Sequence, residues 1–422
     1  MFSRILAKPW LVAGVAVAAI GVLVFLWQPA VVHWHLRRAR HLLRAGENQG
    51  ALAELRAALR LAPDTAETHF LLARAHRRLG NLDKTPGLLR RAEKLGGARD
   101  RAERETWLLL AQSGLLREAE PHLDDLLMDP RDDGADICQA YVLGYFAQVR
   151  VTDAARLLDT WEKAYPEDPR PHFMRGYLLY GLGMRPEAEA AYRKGLGLAP
   201  GDLSARWRLA QVLMETQQID EARVLLEGCV ADDPANPQIV TSWAECVFRA
   251  GEADRAREAL AQLLDSAPEH FEARRLRGEI ALAQGRFEEA RRELEAALNQ
   301  RPYDTTTHNA LGRALRALGR APEAKAHFDY VAEAEGPLAR MENHLRLIPE
   351  RPHDVPLRYE IGLTLLRYGS PDDGAKWLRS VLELQPEHAG AHQALAAYYE
   401  TRGDWRNARY HWQQAAAKES KS

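Results

Sequence analysis

Cysteine is scarce here. The chain of 422 residues has three, Cys138, Cys229 and Cys246, odd in number and far apart. None belongs to a C-x-x-C or C-x-x-C-H pattern, which argues against a disulfide framework, a zinc site and haem attachment. They read as small buried hydrophobes. An excess of either charge is also missing: 57 Lys+Arg stand against 59 Asp+Glu. No global basic footprint for nucleic acid exists. Strand-rich segments are absent, so nothing carries a Rossmann or hydrolase core. No phosphate-binding glycine loop, zinc-protease H-E-x-x-H or nucleophile-elbow G-x-S-x-G occurs. Past residue 28 there is no long apolar run. These absences point away from an enzyme, a metal protein and a cofactor protein, and no small-molecule substrate is expected.

One long apolar run is present at the start. Trp10 to Trp27 is 18 residues without a charge. As a helix it would be about 27 Å long, near the hydrocarbon thickness of a bilayer. Tryptophans sit at its two ends, where aromatic rings favour headgroups. The run exceeds the usual core of a signal peptide, and no small-x-small cleavage site follows. The expectation is a tail over 1–9 and a single-pass anchor over 10–28 in a cell membrane. Arg4 and Lys8 before the run nearly balance Arg37, Arg38, Arg40 and Arg44 after it. The membrane face of the remainder is therefore left open.

Beyond the run, prolines keep a beat. Pro166, Pro200, Pro234, Pro268 and Pro302 are each 34 residues apart, as are Pro352 and Pro386. Pro63, Gly97 and Pro130 precede them at steps of 34 and 33. With each of these as position 32 of a unit, position 20 is alanine in most units (Ala154, Ala188, Ala222, Ala256, Ala290). Position 8 is small (Ala73, Gly176, Ala210, Ala244, Gly278, Gly312, Gly362), and position 24 is large (Leu158, Tyr192, Leu226, Leu260, Leu294, Phe328, Leu378). Each unit thus reads as two short amphipathic helices. Ala205–Thr216 and Ile219–Ala231 make one pair. Small residues at positions 8 and 20 allow close backbone approach. Glycine at position 15 (Gly80, Gly183, Gly251, Gly285, Gly319, Gly369, Gly403) ends the first helix in a left-handed turn. The proline at position 32 stops the second. One unit cannot bury its own apolar face, so neighbours must stack.

This spacing and its small–small–large–proline signature resemble the tetratricopeptide repeat family, and the pattern recurs over some 390 residues. The resemblance implies an all-α, right-handed superhelical solenoid of about eleven helix-turn-helix units, here preceded by one transmembrane helix. The array is expected over 32–336. The unit near 101–130 is atypical, with Thr106 and Glu118 in the small slots. Pro86 implies a late or kinked second helix in the unit before it. Between Pro302 and Pro352 lie 16 residues more than one period. The extra stretch, 337–352, reads as an inserted helix with Leu338, Met341, Leu345 and Ile348 on one face. Two further units fill 353–417, and 418–422 is a frayed tail. The closing segment looks like the last repeats of membrane-anchored bacterial repeat proteins.

The fifteen histidines do not form a ligand set. His35, His69, His172, His308 and His392 all fall at position 4 of their units, a packing slot at the start of the first helix. The surface left for function is the concave face, which in this family is lined by positions 2, 5, 9 and 12 of the first helices. Those slots hold Phe173, Tyr177, Tyr180, Trp207, Gln211, Glu245 and Phe248, joined by Phe146 and Met214. Aromatic rings with polar handles suit the binding of protein segments. Later units continue this line with Glu272, Arg275, Glu279, Arg313 and Arg316. The lysine and asparagine with which some relatives clamp a chain's terminal carboxylate are replaced here by aromatics. The expected function is a membrane-tethered protein–protein interaction scaffold that binds a peptide segment or partner domain. The alternative is a non-catalytic accessory subunit of a membrane enzyme or envelope-assembly complex.

The register is testable by itself. Ala210→Trp and Ala222→Trp place an indole in the two close-contact slots of one unit. Each should cost about 1–3 kcal/mol in urea unfolding, more than Ala→Trp on an exposed helix face. Unchanged midpoints for both would mean a shifted register.

Overall fold

The computed structural model describes the backbone of residues 9–419 and the side chains of residues 27–416. Among these residues every regular element is a helix, and most helices pack on the next in chain order within their unit. The chain divides into two compact units, Met1–Gly144 and Tyr145–Ser422.

A central repeat shows how the sequence makes the pair. Its first helix spans Leu203–Glu215 and its second Ile219–Asp232. Asp202 starts the first helix by accepting the Ala205 N–H at 2.7 Å, which satisfies one of the orphan donors at a helix start. Asn236, Asp304 and Asp354 repeat the device. The first helix ends in a left-handed residue, glycine in most units. Gln217, with φ of 64°, and Val149, with φ of 54°, hold that place in two others. Gly369 is a correction to the sequence reading. Its φ is −140°, because Ser370 already caps the following helix by accepting the Asp373 N–H.

Positions 8 and 24 meet as the pattern requires. A methyl group on Gly278 would lie 2.6 Å from Leu294, and one on Gly312 2.8 Å from Phe328. The large partners are fully buried at Leu226, Leu260 and Leu294. Each such burial contributes roughly 1.5–3 kcal/mol as an upper bound.

In five units the proline that stops the unit is then put to use. Its carbonyl accepts a hydrogen bond from the position-4 side chain six residues on. His69, His308 and His392 donate from Nε2 to Pro63, Pro302 and Pro386 at 2.8, 2.9 and 2.8 Å. Arg274 and Arg358 donate from Nε to Pro268 and Pro352, each at 2.7 Å. A carbonyl only accepts, so the imidazole Nε2 carries the proton and Nδ1 is left as an acceptor. In two units that Nδ1 faces another histidine at 2.8 Å: His308 meets His327, and His392 meets His411. Burial first, and then the neighbouring His392, pushes His411 down to about 4. The histidines at this slot therefore brace the unit junctions.

The single-pass anchor expected over Trp10–Trp27 is corrected. Among the described residues no helix is long and apolar enough to cross a membrane. The backbone from Pro9 to Arg44 is one helix with Pro29 inside it. Its described part carries His33, His35, Arg37, Arg38 and Arg40, and it buries Val32, Leu36, Ala39 and Leu43 in the first repeat. It thus serves as the first repeat's own helix. The side chains of the apolar run before Trp27 lie outside the described residues. The bilayer contact and the membrane localisation inferred from that run are withdrawn with it.

In the unit Met1–Gly144 the atypical repeat has a broken second helix. Leu116–Ala119 and Leu123–Met128 are separated by a 3₁₀ turn that contains Pro121. Pro86 sits in the first turn of Thr85–Lys94, a late start after another 3₁₀ turn. Where the apolar pattern weakens, ion pairs take over. Glu105, fully buried, accepts from Arg74 at 3.0 Å and from Arg77 at 2.5 Å. Arg74 also pairs with Asp133 at 2.8 Å, and Asp136 receives Arg78 at 2.6 Å and Arg77 at 3.2 Å. Three cations thus meet three anions in a space that admits little water. Burial alone would raise the Glu105 carboxyl. Arg77 and Arg74 outweigh it and hold Glu105 below the usual carboxylate range. Asp136 is lowered against burial in the same way by Arg78 and Arg77.

The unit Tyr145–Ser422 departs from a simple stack. The stretch expected as a separate helix over 337–352 continues the preceding one: Ala321–Leu347 is a single helix with Pro337 inside it. The carbonyl that Pro337 leaves unbonded belongs to Glu333, an exposed residue open to water. Met341, Leu345 and Ile348 then pack in one cluster with Val151 and Leu182, roughly 160 to 200 residues earlier, and with Leu357, Ile361 and Trp377. Arg358 fastens the same junction by donating to the Val149 carbonyl at 3.3 Å. This unit closes on itself.

The ion network yields a prediction. Glu105→Gln leaves Arg74 and Arg77 short of a charge in a dry site, so it should cost about 3–5 kcal/mol in urea unfolding at neutral pH. The wild type should hold this contribution above the ordinary carboxylate range and lose it as pH falls through the lowered values of Glu105 and Asp136. The penalty of Glu105→Gln should therefore shrink in acid. A penalty that is constant with pH would contradict an ionised network.

Candidate functional site

Four successive first helices carry the inner residues: Gly134–Ala147, Arg170–Gly181, Leu203–Glu215 and Pro237–Arg249. Phe146 sits at the end of the earliest and meets Tyr177, one helix on, with ring centroids 5.7 Å apart. Tyr177 is 52% exposed. It lies one turn after Phe173, a spacing that keeps the two on one side of the helix.

Next in line is Arg208. Its guanidinium lies 5.8 Å from the Tyr177 ring and 4.4 Å from the Trp207 ring. A cation between two π faces orders both rings. Arg208 also donates to the Gln211 side chain at 3.2 Å. Trp207, half-buried, donates its indole N–H to Ser242 Oγ at 2.9 Å. That bond fixes the plane of the indole against the next helix. Glu245 continues the line. It pairs with Arg249 one turn on and lies 3.9 Å from Arg275. Arg275 in turn holds Glu279. Burial raises the Glu279 carboxyl above its usual range despite Arg275 beside it.

The structure therefore joins Phe146, Tyr177, Trp207 and Gln211 into one row, with Arg208 as the link, while Glu245 stands in the ion pairs with Arg249 and Arg275. Three residues proposed from the sequence stand apart. Phe173 packs into the core of Ala188, Tyr192 and Leu209, and its ring fills the notch above Gly195. Tyr180 is half-buried at the edge of that core and donates its hydroxyl to Glu215, which also holds Arg185. Phe248 is half-buried against the Leu260 and Leu276 cluster. Arg208 escaped the sequence reading because it lies one place past the groove slots. Its signal was its position directly after Trp207 and about one unit beyond Tyr177.

The chemistry this row offers is recognition. It presents an exposed phenol, an indole edge, a guanidinium spread over rings and alternating charges. Among the described residues no group of three or more His, Cys, Asp or Glu is placed to hold a metal. Cys229 and Cys246 are buried, and burial pushes both thiols up, which suppresses nucleophilic character.

Two family models described as tetratricopeptide repeat match the chain. One covers residues 36–102, 140–203 and 246–305, the other 179–240 and 281–341, together more than half of the chain. No curated protein matches. Among solved structures the chain is similar to the human IFIT1 dimer with m7Gppp-AAAA. That likeness has 17% identity over 84% of this chain and 90% of that one, with a TM-score of 0.44. It is also similar to the MamA protein, at 20% identity over 40% of this chain and 92% of that one, with a TM-score of 0.32.

The placement of Phe173 can be checked. Gly195→Ala forces a methyl into the Phe173 ring, which should cost about 1–3 kcal/mol, partly offset by the helix preference for alanine. Adding Phe173→Leu should restore most of the loss. If Gly195→Ala is neutral in urea unfolding, Phe173 does not occupy the notch.

Proposed function

We propose that this chain, which belongs to the tetratricopeptide repeat family, is a protein-interaction scaffold that holds an extended segment of a partner protein along the row from Phe146 to Gln211. The observation that carries this reading is Tyr177. Its ring is half exposed, steadied by Phe146 on one side and by Arg208 on the other. A large ring held in solvent contributes little to the core. It gives a partner side chain a rigid surface at small entropic cost.

Trp207 and Gln211 extend the platform, and the charges from Glu245 to Glu279 supply polar contacts at its far end. Phe173, Tyr180 and Phe248 form its walls from within. An extended segment crossing several helices gains area in the manner of repeat proteins generally.

A photo-crosslinking residue placed at Tyr177 should trap partner protein in cells. The same residue at Val224, which is 69% exposed on a second helix, should not. Tyr177→Ala should weaken binding of the trapped partner by about 2 kcal/mol, roughly thirtyfold, and leave the circular-dichroism melt almost unchanged. Trp207→Ala should weaken it further and also lower the melt, because the bond to Ser242 is lost. A large loss of thermal stability on Tyr177→Ala, with binding intact, would place the ring in the core and the partner elsewhere.

A further inference from the structure

Where the unit Tyr145–Ser422 closes on itself, it leaves a cavity of about 270 Å³. At about 30 Å³ per molecule in the liquid, that is room for roughly nine waters. Three independent features meet there. The first is strain at its edge. Val149 has φ of 54° in the slot that most units give to glycine. A β-branched residue in the left-handed region is an outlier that costs of order 1–3 kcal/mol and persists only where its surroundings enforce it.

The second is Arg358, which lines the cavity and is 4% exposed. It donates to the Pro352 carbonyl, to the Val149 carbonyl from both terminal nitrogens, and to Ser380 Oγ at 2.9 Å. Four of the five guanidinium N–H groups are used, which leaves one on Nη2. Every acceptor is neutral. Burial lowers Arg358 below the usual arginine range, and the opposing charge of Glu383 does not restore it. A buried cation without an ion-pair partner is costly.

The third is the opening of the helix Val151–Ala164, whose first turn lines the same cavity. Arg150 at its cap position makes no side-chain capping bond, so the first-turn N–H groups keep their donor capacity. The Thr152 hydroxyl is buried there with no hydrogen-bond partner. Donors and positive potential thus converge on one space, while Val151, Pro352 and Leu384 supply an apolar wall.

We propose that this cavity binds a small organic anion, a monocarboxylate with an apolar body. The carboxylate takes the free Arg358 N–H, the Thr152 hydroxyl and the amides of the first turn. The body lies against Val151, Pro352 and Leu384. Formal charge favours one negative charge over two: Arg150, Arg156 and Arg358 share the lining with Asp153 and Glu383, an excess of a single positive charge. The site is separate from the aromatic row and stands or falls independently of it.

The test is ligand-dependent thermal unfolding of the full chain with hexanoate, its methyl ester and inorganic phosphate. Hexanoate should raise the midpoint saturably and bind at least roughly tenfold more tightly than the ester, a difference of about 1.4 kcal/mol. Arg358→Met is the direct variant, but Arg358 also braces the closure. Leu384→Trp is therefore the second: this residue sits at the lip, 39% exposed, and an indole there takes the space of the ligand's body while removing none of the hydrogen bonds that Arg358 makes. It should abolish the hexanoate response while the unliganded protein unfolds as before. Equal responses to acid and ester, a response that survives Leu384→Trp, no saturable response at millimolar hexanoate, or binding of phosphate alone would each overturn the proposal.

Discussion

Two helices of a repeat can approach closely only where one of them has almost no side chain. At Gly278 and Gly312 the facing Leu294 and Phe328 occupy the space a methyl group would need, and the same small-on-large contact recurs along the array. The approach fixes the angle of each pair, and the angle fixes where the next unit stacks. The inner residues inherit their spacing from it. Tyr177 and Trp207 can share Arg208 because their helices sit side by side at that distance. In five units the proline carbonyl bonded by a position-4 histidine or arginine then locks the unit to the turn before it, using an acceptor the helix end would otherwise leave to water.

Features that repeat were legible in the amino-acid order. The 34-residue beat, the small slots, the left-handed helix ends and the burial of the cysteines follow from local pattern, and position-4 histidine could be assigned to packing from register alone. Features that arise once were hidden. The Arg74, Arg77 and Arg78 cluster draws its carboxylates from Glu105 in the helix Arg99–Gln112 and from Asp133 and Asp136 at the start of Gly134–Ala147, and charged residues on a helix read by default as a solvated face. The closing contact of Ile348 with Val151 joins segments some 200 residues apart, beyond any periodic reading. Pro337 suits a helix start, because proline favours the first turn, whereas the helix runs through it.

The row at Tyr177 was partly visible. Slots of the first helices named Tyr177, Trp207 and Gln211, which the structure gathers around Arg208, and rotamers decided the rest. Phe173 and Tyr177 sit one turn apart, yet one ring turns down into the notch above Gly195 and the other stays in solvent. Which of two aromatics on a shared face is swallowed depends on the glycine opposite, in the other helix of the same unit. The apolar run before Trp27 is a different lesson. Hydropathy described a span, while the helix that contains the run is spent at its other half on the first repeat's core.

The closure at Ile348 and Arg358 changes how this protein folds. An open solenoid has only neighbour contacts, so it can nucleate anywhere, grow one repeat at a time and fray from its ends. Here the contacts of Val149 and Val151 with Arg358 and Ile348 pay off only after the intervening repeats have formed. That raises contact order and slows the final step, since loop-closure entropy must be met first. Once made, the same contacts deny the repeats they enclose independent ends. The repeats between Tyr145 and Tyr368 are then tied into a single cooperative block that resists stretching, unlike a spring that lengthens coil by coil.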